Sequence, residues 1–211
     1  MRFFVPEQIF HDNVFKGEKD QLLKLSVASL PEIPLPKHPK IHVASVNSEK
    51  KWYGLNSQEL VLFVGPPAAG KTFFYRNVLS DYVHVNQDTL GNRDMCLRRA
   101  TEALDRGQSV VIDNTNPDSK SRQTYIQLAK QRNIPVRCIL FEIPREVCRH
   151  NNCFRRYHRS ERRTPSIAAS VYFSKYEEPT LDEGFQEIIR QQWCPMFESE
   201  EERSAWELFY Y

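Results

Sequence analysis

The rhythm of apolar positions in this 211-residue chain changes near residue 58. Before it come one or two short amphipathic segments, around 6–15 and 21–30, and then four prolines from Pro31 to Pro39. Prolines at that density exclude a helix or an inner strand, so 31–39 reads as an extended linker. Residues 41–57 show no clear period, although Trp52 and Tyr53 are large enough to need packing partners. After residue 58, short apolar runs alternate with longer mixed segments. Leu60–Val64, Tyr82–Val85, Ser109–Asp113 and Val136–Glu142 have strand length and strand composition. Helical segments fall between them. One continues from Thr72 to Leu79, and one runs from Asn92 to Arg106 with Gly107 as its stop. A third has Asn116 as cap and Pro117 in its first position and reaches about Arg132. Further helices are expected from Pro144 into an arginine-rich segment, from Pro165 to about Tyr176, and from Ser199 to about Phe209, where Ser199 and Glu202 have capping-box spacing. Residues 185–189 fit a strand or a helix. This βαβα alternation predicts an α/β fold, a parallel sheet with helices on both faces. The expected division is an N-terminal arm and linker, 1–59, and a compact domain, 60–211.

The first strand leads into Gly65-Pro66-Pro67-Ala68-Ala69-Gly70-Lys71-Thr72, which fits the phosphate-binding pattern G-x-x-x-x-G-K-[ST]. The strand before it and the helix after it are the context that this motif requires. Its glycines let the backbone curl so that N–H groups face phosphate oxygens, and the helix N-terminus adds its positive dipole end. Lys71 is placed for the β- and γ-phosphates of a bound nucleotide, and the Thr72 hydroxyl for Mg²⁺. In such a sheet, ligands bind beyond the carboxyl ends of the strands. Gly65, Asp88 and Asp113 all fall at strand ends, so three separate features converge on one rim. Asp113 there has several roles open to it: a direct Mg²⁺ ligand, a ligand through water, an orienting group, or a polar cap on the strand. Asp88 stands where a small kinase holds its acceptor hydroxyl, and either takes the proton and aims the oxygen or caps a turn. His84, His150 and His158 have no metal-like spacing and read as ordinary surface or interface residues.

Composition alters this picture in few places. Net charge is +2, but the stretch from Arg145 to Arg163 holds seven arginines and two glutamates, so the rest of the chain is acidic. That cluster suits an arginine-rich lid gripping phosphate; the alternative is a solvated basic helix. The five cysteines form no C-x-x-C pair, which argues against a structural zinc or a disulfide framework and for a reducing interior. No apolar run approaches the roughly 18 residues that span a membrane. No signal peptide is visible, and nothing in the sequence demands an oligomer, so a monomer is expected.

Four segments together resemble the kinase domain of eukaryotic polynucleotide kinase/phosphatase. They are Gly65–Thr72, Tyr82–Gly91 with its V-N-x-D-T-L-G run, Val111–Pro117 with I-D-N-T-N-P, and Arg149–Arg155 with R-H-N-N-x-F-R. Glu178–Phe185 fits the family's late segment. The resemblance implies a P-loop kinase that moves the γ-phosphate of ATP, with Mg²⁺, to 5′-hydroxyl ends of DNA in strand-break repair, and hence a nuclear location. It implies that Gly65 to Thr72 bind ATP and that Lys71, Asp88 and Arg155 are catalytic, Asp88 as general base and Arg155 gripping phosphate. Asp88, Asp113 and Arg122 are expected on the substrate side. An RNA or small-molecule kinase and a non-catalytic nucleotide-binding module remain the alternatives. Gln87 and Cys153 stand where arginines are expected. Phe4–Phe10 resembles the end of the family's phosphatase domain, whose nucleophile motif is D-x-D. No D-x-D occurs among the nine aspartates here. The expectation is therefore the C-terminal kinase portion of a longer protein whose phosphatase domain lies elsewhere.

Overall fold

A computed structural model describes residues 57–157, 165–193 and 199–208. The expected arm and linker lie outside the described residues apart from 57–59, as does the arginine-rich segment from 158 to 164. The sheet is built on β1 (Leu60–Val64), whose five side chains are all fully buried. An unbroken apolar run is what a strand covered on both faces requires. Leu60, Leu62 and Val64 enter one core and Val61 and Phe63 the other, by simple alternation. Each such side chain contributes roughly 1.5–3 kcal/mol through burial.

Helix α1 (Lys71–Val78) follows, then β2 (Val83–Val85), the one-turn α2 (Gln87–Leu90), α3 (Arg93–Asp105), β3 (Val110–Ile112), α4 (Ser119–Lys130) and β4 (Val136–Glu142). Next come α5 (Arg145–Tyr157), α6 (Ser166–Lys175), a 3₁₀ turn (Leu181–Glu183), β5 (Glu187–Gln192) and α7 (Glu200–Leu208). The strand order is β2-β3-β1-β4-β5, and every pairing is parallel. Ala100, Ala103 and Leu104 of α3 and Tyr125, Ile126 and Ala129 of α4 cover one face. On the other face, Phe74 of α1, Phe63 and Phe141 form three mutual edge-on contacts with centroids 5.1–5.9 Å apart. Helices therefore cover both faces, as the alternation predicts. No helix among the described residues is long and apolar enough to cross a membrane.

Two expectations are corrected. Helix α4 is capped by Asp118, whose side chain accepts from the N–H of Ser121 at 2.7 Å, and not by Asn116. Asn116 has a left-handed backbone (φ 44°), and its amide donates instead to the carbonyl of Phe63 at 2.7 Å. Pro117 consequently precedes the helix. Asp88 does not end a strand; it sits in the first turn of α2, which Asn86 caps by accepting from the N–H of Thr89. The ambiguous stretch near 185–189 resolves as β5, starting two residues later.

Candidate active site

Parallel register puts the ends of β2, β3 and β1 side by side, and the loops after them form one rim. At the end of β1 the backbone turns through Gly65, where an added Cβ would lie 2.8 Å from the Cβ of Phe141. No other residue fits there without moving β4. Ala68 (φ 62°) and Gly70 (φ 88°) then take left-handed conformations and hand the chain to α1, whose N-terminus has no side-chain cap. A loop curled this way, ending at an uncapped helix N-terminus, suits an anionic ligand.

Lys71 is buried, and its ammonium donates to the carbonyls of Gly65 at 2.9 Å and Pro66 at 2.6 Å. Burial pushes its pKa down to about 8, and Arg155 adds to that fall, while Asp113, Cys148 and Asp88 act against it. An ammonium held at this cost favours an incoming anion. The same balance locates Asp88 and Arg155. Both lie close enough to Lys71 to act on it through space, Asp88 exposed on α2 and Arg155 half-buried on α5.

Thr72 donates its hydroxyl to Oδ2 of Asp113 at 2.6 Å, joining the phosphate loop to the end of β3. Asp113 is almost wholly buried. Burial alone would raise its pKa, but hydrogen bonds from His84 and Thr72 and the charge of Lys71 outweigh it and hold the carboxyl below the usual range. His84 Nε2 stands 2.9 Å from the same Oδ2, and because a carboxylate only accepts, that nitrogen is the donor. The ring of His84 stacks on Tyr75 of α1, with centroids 4.0 Å apart and planes 7° apart.

Thr72 and Asp113 present an adjacent hydroxyl and ionised carboxylate, which are hard oxygen donors of the kind Mg²⁺ takes. Among the described residues, no group of three or more His, Cys, Asp or Glu is placed to hold a metal. The donor set therefore fits an ion held by one or two protein oxygens together with substrate phosphates, the usual Mg²⁺ arrangement, and not a dedicated metal cage.

The structure brings Lys71, Thr72, Asp88, Asp113 and Arg155 to one rim. It does not bring Arg122 there. That side chain is fully buried, forks onto Glu183 at 2.8 and 2.7 Å, and donates to the carbonyls of Asn116, Pro117 and Glu177. The expected substrate contact is replaced by an internal tie between α4 and the segment 177–183, because each guanidinium nitrogen is already engaged inside the protein. Sequence reasoning missed two further groups. His84 is not an ordinary surface residue but a partner of Asp113; the available signal was a histidine between two valines on a strand that ends at the rim. The loop after Asp113 is the other. Thr115 accepts from the N–H of Gly65 at 3.1 Å through its carbonyl, and Asn114 accepts from the N–H of Gln87 at 2.9 Å through its side chain. This loop braces the phosphate loop on one side and the Asp88 turn on the other.

A family model described as an AAA domain matches residues 60–179. The chain is 39% identical over 155 residues to the bifunctional polynucleotide phosphatase/kinase of Schizosaccharomyces pombe, a match covering 72% of this chain and 38% of that one. It is 34% identical over 194 residues to an Acanthamoeba polyphaga mimivirus protein provisionally named a bifunctional polynucleotide phosphatase/kinase, covering 89% of this chain and 44% of that one. The chain thus spans about two fifths of the length of these curated relatives. Among solved structures, a Chloroflexus aurantiacus protein provisionally named a kinase superposes with TM-score 0.50 at 16% identity, over 66% of this chain and 87% of that one. That likeness speaks for the fold.

Proposed function

We infer the function of this chain from its family: it belongs to the AAA domain family and is similar to about two fifths of the length of two proteins named as polynucleotide phosphatase/kinases. Family and fold make it an ATP-binding P-loop kinase, a phosphotransferase. The finer reading is an ATP-dependent polynucleotide 5′-hydroxyl kinase that acts as a monomer on DNA ends in strand-break repair in the nucleus. The observation that carries this reading is a division of labour between two carboxylates. Asp113 is buried and engaged by Thr72 and His84, whereas Asp88 is exposed on a separate turn of the same rim. Binding nucleotide alone does not require the second carboxylate.

In this reading Gly65 to Thr72 cradle the phosphates, and the Lys71 charge stabilises the β/γ oxygens. Thr72 and Asp113 would hold Mg²⁺, which when bound neutralises charge on the phosphate oxygens. Asp88 accepts the proton of the 5′-hydroxyl and aims its oxygen. Arg155 supplies positive charge from the α5 side. Phosphoryl transfer asks the protein mainly for positioning and charge, which these residues provide.

The test is a panel of acceptors offered with ATP and Mg²⁺: 5′-hydroxyl DNA, 5′-hydroxyl RNA and nucleosides. Preferential labelling of DNA ends supports the proposal. Preference for RNA or nucleosides would replace the substrate and keep the mechanism, while ATP binding without transfer to any acceptor would leave a nucleotide-binding module.

A further inference from the structure

Besides the loop after Asp113, the phosphate loop has a further support from outside its motif. Asn151, on α5, donates its side-chain N–H to the carbonyl of Ala68 at 3.1 Å. Its amide oxygen accepts from the indole N–H of Trp206 on α7 at 2.9 Å. The chemistry allows this in one orientation only. A backbone carbonyl accepts and never donates, and an indole N–H donates and never accepts, so the residue between them must do both. An asparagine amide does so, and the indole sets which end of the amide faces the loop.

The contact falls at a telling place. Ala68 is the non-glycine residue of the loop held in the left-handed region, at φ 62°. Its backbone conformation decides where the following N–H groups of Ala69, Gly70 and Lys71 point. Such a conformation persists where the surroundings impose it. Trp206 is itself held firmly: 8% exposed, edge-on to His150 at 4.3 Å between centroids and stacked at a 30° tilt on Trp193 at 5.8 Å.

We propose that Trp206 is a positioning residue for the nucleotide site, acting through Asn151 to hold Ala68 in the conformation that aims the loop at phosphate. Helix α7 is on this view a working part of the ATP site, although it is more than 130 residues beyond the loop in sequence. The inference rests on the reading of Gly65–Thr72 as the nucleotide site.

The experiment measures ATP affinity of the full chain by calorimetry, beside its melting temperature. The variants are Trp206→Phe, Asn151→Ala, the two combined, and Asn151→Asp. Phenylalanine keeps an aromatic ring between His150 and Trp193 but removes the donor together with part of the indole's volume, which is why melting temperature is read beside Kd. Each of the Phe and Ala variants is expected to raise the ATP Kd about fivefold or more, the worth of one hydrogen bond. The double variant should be no weaker than Asn151→Ala, because both act through one amide. Asn151→Asp, which turns an acceptor toward the Ala68 carbonyl, should be the weakest binder of the singles. A folded Trp206→Phe protein with wild-type ATP affinity overturns the proposal, as does a double variant whose losses multiply. If Trp206→Phe does not fold, wild-type affinity in Asn151→Asp overturns it equally. A purely structural role would lower the melting temperature and leave Kd unchanged. Failure of the wild-type chain to bind ATP would sink the nucleotide-site reading itself, which is a different result.

Discussion

Raising pH should weaken ATP binding, and Lys71 determines by how much. Burial holds the ammonium at a pKa of about 8 against an ordinary 10.5, so the free protein begins to lose this charge in mildly alkaline solution. Phosphate placed beside it favours the charged form and lifts the pKa again. Binding therefore takes up a proton wherever the free site has lost one. Above about pH 8 the Kd should rise about tenfold per pH unit, equivalent to 1.36 kcal/mol, until the bound state's own pKa is reached. At about pH 9 binding should be roughly tenfold weaker than at about pH 7, with uptake of about 0.9 protons, against about half a proton at pH 8. The nucleotide adds little, since phosphate groups with a second pKa near 6 are fully ionised by then. Calorimetry in two buffers of different ionisation enthalpy measures the uptake directly, and Lys71→Met should abolish both the uptake and the pH dependence. The sign for stability is the opposite of that for binding. Between about pH 8 and 10.5 the unfolded chain keeps a lysine proton that the folded chain has lost, so the free protein gains stability as pH rises through that window. Flat affinity from about pH 7 to 9.5, with no proton uptake, would refute the reasoning and mean that Lys71 is not where phosphate charge is received.

Three substitutions test the other roles. Asp88→Asn should lower kcat about 10²-fold or more and leave the KM for ATP within about twofold, because the lost group serves the acceptor; parallel loss of ATP binding in steady-state kinetics would move Asp88 to the metal. Gly65→Ala puts a carbon 2.8 Å from the Phe141 Cβ, and the overpacking should cost about 1–3 kcal/mol in denaturant unfolding; a neutral result would mean that β1 and β4 have slack at this end. Arg122→Met strands the half-buried Glu183 and three carbonyls, so stability should fall by about 3 kcal/mol with acceptor KM unchanged in the folded fraction. Lost DNA affinity at wild-type stability would restore Arg122 as a substrate contact.

What the sequence made legible here, and what it hid, divides along the reach of the interactions. The first strand comes out at Leu60–Val64 because burial on both faces leaves a continuous apolar run, and the fourth at Val136–Glu142 because a mostly apolar run persists around Arg137, signals held within each segment. The phosphate loop was legible for the same reason, since its strand, turn and helix are contiguous. By residue type Asp118 caps a helix as well as the expected Asn116. The choice between them was made by the carbonyl of Phe63, 53 residues away, which claims the Asn116 amide. Arg122 was expected on the substrate side, and the return of residues 177–183 over α4 ties it inside instead. His84 meets Asp113 through lateral register between β2 and β3, which alternation within either strand leaves undetermined. Asn151 is the extreme case: its two partners lie 83 residues before it and 55 after. Periodicity records which face of an element is buried, while a site is assembled from groups satisfied across elements. The residues that bear directly on phosphate were therefore readable as a motif, and those that hold the motif in place became readable only once the strands were set side by side.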